Sequence, residues 1–210
     1  MSNTDDHVAH EQAAQSGPSN VGLATRLSGN PIVGFTPWII FWIIATGPNT
    51  WLYGAGAAAA AALVLAIPDV YRRRPKILDI ATIIFFTALT VTGIIANPAD
   101  GEWIDQYSSV ISSTVLGAIA LGSLLFVPFT EQYARETTPK KYWHAQAFTR
   151  INRVLTLAWG LAFLGIAVCG LIAIAAPSTS AWSNWVIPIL LLVCALKFTR
   201  WYPDRATPIS

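Results

Sequence analysis

The residues of this chain that could do chemistry are few. His7 and His10 stand three apart in "HVAH", close enough to share a metal, yet a structural site asks for four ligands and the neighbourhood supplies no others. His144 stands apart from any cysteine or second histidine. Glu131, Glu136 and His144 would be the basis for a membrane enzyme acting on a lipid, which needs paired carboxylates, a histidine or a metal near one interface. No glycine-rich phosphate loop, serine elbow or zinc motif is present in the sequence. The expectation is therefore a non-enzymatic protein with no metal and no cofactor.

Two other groups carry polarity in a pattern. Thr82, Thr87, Thr90 and Thr92, followed by Ser109, Ser112, Ser113 and Thr114, fall inside apolar runs. Thr82, Thr87 and Thr90 could line a path for a small-solute permease or channel. Such hydroxyls more often bond their own backbone or a neighbouring helix. The second group is basic: Arg72, Arg73, Arg74, Arg135, Lys140, Lys141, Arg150 and Arg153. Gathered on one surface, they would hold anionic lipid headgroups or an acidic partner, at about 1 kcal/mol per well-placed cation. The bland alternative is topological, with the same charges doing no more than keeping their loops on one side.

The elements that position these residues follow from hydropathy. Of 210 residues 54% are hydrophobic and 11% charged, well short of the roughly 25% charged in a soluble domain, so lipid is the expected solvent. Six apolar runs approach the length of about 20 residues that crosses a bilayer: 32–47, 51–68, 77–96, 108–127, 153–176 and 184–199. Gly47 and Pro48, Pro68, Pro75, Pro98, Pro128 and Pro177 separate them, and Asn30 before Pro31 suits the start of the first helix. Asp79 lies one turn into the third run, within reach of Lys76. Residues 1–30 are acidic and polar, lack the pattern of a secretory signal, and read as a disordered tail; 201–210 form a second, short tail.

Charge placement orients the runs. Arg26, Arg72 to Lys76, Arg135 to Arg153, and Lys197 to Arg205 all fall on one side of a six-helix arrangement, while the opposite loop carries Asp100, Glu102 and Asp105. By the positive-inside rule the chain is an all-α polytopic transmembrane helix bundle with six spans and both termini cytoplasmic. The weak point is the first two runs, which are short and, in "WLYGAGAAAAAALVLAI", rich in Ala and Gly, so that a re-entrant hairpin stays open as an alternative. Gly54, Ala58 and Ala62 recur every fourth residue, which suits close helix approach and places the second helix in the middle of the bundle. Cys169 and Cys194, about 24 Å and about 9 Å from the same side by helical rise, suit packing rather than a disulfide.

The densest polar stretch is "PFTEQYARETTPKKYWHAQAFTRINR", residues 128–153. Phe129 and Tyr133 share one face of a short helix, and Glu131 and Arg135, four apart, can pair on another. This loop, 128–152, would lie along the membrane surface. Tyr71, Tyr133, Tyr142, Trp143, Trp201 and Tyr202 on its side, and Trp51, Tyr53, Trp103, Tyr107, Trp182 and Trp185 on the other, form the aromatic belts of a bilayer protein. A nucleic-acid platform would need a basic groove on a soluble fold, so no nucleic acid is expected.

The segments "RRRPKILDIATIIFF" and "FTRINRVLTLAWGLAFL" resemble small bacterial polytopic inner-membrane proteins of the intracellular septation protein A type. The resemblance covers the third and fifth runs with their loops, and the Ala-rich second run and the polar tail depart from it. It implies a role in envelope biogenesis and carries over no catalytic residue. The reading is thus a membrane scaffold or accessory subunit, partnered by lipids and by another membrane protein or a second copy of itself.

Overall fold

The computed structural model describes residues 31–46, 50–71, 76–95 and 98–206. The N-terminal tail with His7, His10, Arg26 and Asn30, the residues Arg72 to Arg74, and the end of the C-terminal tail lie outside the described residues.

Every regular element among the described residues is helical: α1 (Pro31–Ile44), α2 (Trp51–Tyr71), α3 (Ile77–Ile95), α4 (Pro98–Ser123), α5 (Phe129–Thr137), α6 (Gln146–Ala175) and α7 (Ile187–Ala206). A 3₁₀ turn at Lys140–Tyr142 precedes α6, and a π-helical turn at Trp182–Val186 runs directly into α7. Among the described residues four helices are long and apolar enough to cross a membrane: α2, α3, α6, and the continuous Trp182–Ala206. Of the remaining two expected spans, α1 is a 14-residue helix. The other, α4, reaches 26 residues because it starts at Pro98 rather than near 108, taking the acidic "PADGEWIDQY" into its first turns. Proline at the first helical position and carboxylates in the opening turns favour that early start.

Setting the short α5 aside, successive helices alternate in direction, so the starts of α1, α3 and α6 and the ends of α2 and α4 gather at one end of the bundle. That end carries Lys140, Lys141, Arg150 and Arg153 and is here called the basic end. With 30 residues, α6 is about 45 Å long, longer than the hydrocarbon of a bilayer, and its first two turns project at the basic end.

One face of α1, with Phe35, Trp38 and Phe41, is packed into the middle of the bundle, while Ile39 and Ile43 on the other face are exposed. Its Phe35 ring lies 5.7 Å from Phe129 of α5 and 5.1 and 5.2 Å from Trp159 and Phe163 of α6. Trp38 stacks on Phe85 of α3 at 5.1 Å, and Phe41 meets Phe86 at 5.3 Å. Trp42 donates its indole N–H to Ser112 of α4 at 2.9 Å. This differs from the central place expected for α2. The small residues Gly54, Ala58 and Ala62 are buried as their spacing suggests, but Leu63, Val64, Leu65 and Ile67 leave α2 with a broad exposed flank. Trp51 likewise departs from the belt expected of it: it is 4% exposed and packs inward, whereas Tyr53 faces out.

The α4–α6 pair interlocks around Gly160, where an added Cβ would fall 2.6 Å from Leu121 Cγ. Trp159 then bonds Thr199 of α7 at 2.9 Å, tying the last helix to the sixth. Cys169 and Cys194 are both free thiols, the first buried and the second exposed.

Candidate functional site

At the basic end, α5 is not a surface helix. Phe129, Thr130, Glu131 and Tyr133 are all buried, and the helix closes the end of the bundle like a plug. A face carrying Thr130 and Glu131 is costly against lipid but acceptable where other helices supply partners. Those partners are present on α3, α4 and α6. The Phe129 N–H donates to Ser123 Oγ of α4 at 3.0 Å, and that hydroxyl donates in turn to Ala120 O at 2.6 Å. Thr130 Oγ1 donates to the Asn152 carbonyl at 2.8 Å and sits 2.8 Å from Thr156 Oγ1, both on α6. Gln132 accepts the Ile77 N–H at 2.8 Å, satisfying an unpaired donor at the start of α3, and donates to Val127 O at 3.0 Å.

Beneath the plug lies a cluster of ionisable groups. Lys76 and Asp69, both almost wholly buried, form an ion pair. Lys76 Nζ also lies 4.9 Å from the centre of the Tyr133 ring, and Tyr133 donates its hydroxyl to Asp79 at 3.1 Å. Lys76 thus bonds Asp69 rather than the Asp79 that its place in the sequence suggests, and the phenol serves Asp79 instead. Burial, reinforced by the Asp79 carboxylate, pushes the Tyr133 phenol well above its ordinary value.

Glu131 and Arg135 pair at 2.6 Å, one helical turn apart. The Arg135 guanidinium also lies 5.2 Å over the Trp143 ring, and Trp143 donates to Thr138 O at 2.9 Å. Arg135 is therefore engaged locally and differs in kind from the cations further along. Lys140, Lys141, Arg150 and Arg153 are exposed, and no carboxylate among the described residues pairs with them. Lys141 lies 4.7 Å over the ring of its neighbour Tyr142. Of the eight sequence-selected basic residues, Lys140, Lys141, Arg150 and Arg153 are thus the exposed ones among those described.

The three path threonines are not brought together. Thr82 is buried and accepts the Trp38 indole N–H at 2.8 Å, Thr87 is exposed, and Thr90 donates to Phe86 O at 2.7 Å. The residues that sequence reasoning missed at the basic end are Asp69 and Gln132. Asp69 had a local signal, a carboxylate directly after the apolar run 51–68 with Lys76 seven residues on; Gln132 had none.

His144 is exposed, and among the described residues no group of three or more His, Cys, Asp or Glu could hold a metal. No known protein family, curated protein or solved structure matches this chain.

Proposed function

We propose that this chain is an integral membrane scaffold or accessory subunit, non-enzymatic, that holds anionic lipid headgroups through its basic end. The observation that carries the reading is the presentation of Lys140, Lys141, Arg150 and Arg153. They are exposed, lack carboxylate partners among the described residues, and sit beside a plug helix bonded to α3, α4 and α6. Cations on a fixed surface lose less conformational freedom on binding than cations on a loose loop. Arg72 to Arg74 lie in the sequence between α2 and α3 and add three cations to the proposal.

The finer topology belongs to this proposal. Four helices can cross the bilayer by length and composition, and in this reading α1 and α4 cross with them, enclosed by or packed on their neighbours. The positive-inside rule then puts the basic end and both termini in the cytoplasm of a bacterial cell, with the inner membrane as host. The resemblance to septation-type proteins supports a place in envelope biogenesis.

The test is lipid retention. Replacing Lys140, Lys141, Arg150 and Arg153 together with Gln should strip co-purifying phosphatidylglycerol, read by native mass spectrometry, since each cation contributes about 1 kcal/mol. Unchanged retention in a variant that keeps its melting temperature would refute the basic surface as a lipid site.

A further inference from the structure

At the opposite end of the bundle a cavity of about 340 Å³ opens between α1, α4, α6 and the π turn leading into α7. Its lining includes Trp42 and Thr46, Asp105 and Ser109, and Asn184 and Trp185. Asp105 is the ionisable group among the described lining residues, and it forms no ion pair with any described residue. No lysine, arginine or histidine is found among those lining residues.

We propose that this cavity binds a small organic cation of the alkylammonium class. The volume falls within the range of small-molecule sites, roughly 300–1,000 Å³, and is far larger than a bare ion needs. A single carboxylate is also a poor calcium or magnesium site, since calcium asks for about six to eight oxygens and magnesium for octahedral geometry. Two indole side chains, Trp42 and Trp185, and one carboxylate in a common lining are a set that suits an alkylated ammonium, which is large, weakly hydrated and positive. The Trp42 ring is fixed in place: its N–H is committed to Ser112, so it cannot turn to take that bond elsewhere. Trp185 comes from the π-helical turn Trp182–Val186, and a local π turn inside a helix is a feature found often at functional sites. The last turn of α6, with Ala173 and Ile174 in the lining, adds the partial negative charge of a helix C-terminus.

The ammonium group could arrive as a free solute or as the headgroup of a phosphatidylcholine lipid. Full-length protein in phosphatidylglycerol nanodiscs would be titrated calorimetrically with choline chloride and, separately, with 3,3-dimethylbutan-1-ol, the neutral carbon isostere. Saturable choline binding, at least about tenfold tighter than the isostere and weakened about tenfold or more by Asp105→Asn, is the expected result. Trp185→Ala should weaken it independently, which keeps the test valid should the Asp105 variant misfold. In phosphatidylcholine nanodiscs, blocked choline binding assigns the site to the lipid headgroup, and retained binding assigns it to the free solute. The proposal is overturned by an absence of saturable binding, by equal affinity for the isostere, or by folded Asp105→Asn protein that binds like wild type.

Discussion

Gly34 shows how little room the basic end leaves. A Cβ there would collide with the Tyr133 hydroxyl and lie 2.7 Å from Cζ of the same ring, so the plug helix seats against bare backbone. Gly34→Ala should cost about 1–3 kcal/mol, the usual range for overpacking, measured as thermal unfolding in detergent. Tyr133→Phe should relieve part of that loss by removing the colliding oxygen, a coupling that a double-mutant cycle reads directly. The same phenol sets an alkaline limit. Its raised folded value means that the native state keeps a proton that the unfolded chain begins to lose near pH 10. Stability from this group is full below that pH and falls as pH rises above it. Wild type should therefore lose more melting temperature between about pH 9.5 and 11 than Tyr133→Phe does; parallel losses would exclude this origin.

At the scale of elements, α5 is the piece whose local design was legible and whose destination was not. The four-residue spacing of Glu131 and Arg135 announces their ion pair, and that of Phe129 and Tyr133 announces a common face. Nothing local says that the face is turned into the bundle, because its anchors, Asp79, Ser123 and Thr156, lie on three different helices. Similar reasoning explains why α1 was not recognisable as central: Trp38 and Phe41 read as lipid-facing or core-facing with equal ease when lipid and core are both apolar. The hydroxyl run on α3 was visible as a run, but the partner of Thr82 is Trp38, 44 residues away. Thr130→Val would take its hydroxyl partner from the buried Thr156 Oγ1, at a cost of about 1–3 kcal/mol concentrated at the plug. Hydrogen exchange should rise across 129–137, and trypsin should cut sooner after Arg135, while α1 keeps its protection.

For the whole molecule, the decisive prediction concerns sidedness. With Cys169 and Cys194 replaced by Ala, single cysteines at Lys141 and Trp103, both exposed positions, should react with a membrane-impermeant maleimide from opposite faces. Labelling of both from the same face would break the alternating arrangement on which the six-span reading stands. The central position of α1 has a further consequence, in time rather than in space. The ribosome delivers α1 before the other described helices, yet two of the rings packed on Phe35, Trp159 and Phe163, lie more than 120 residues further along the chain. At about 5–20 residues per second that gap is on the order of ten seconds, during which Phe35 faces lipid or a caretaker instead of Trp159 and Phe163. A segment made early thus gains part of its packing late, so a substitution in α1 that is well tolerated by the finished bundle can still reduce the yield of bundles that finish.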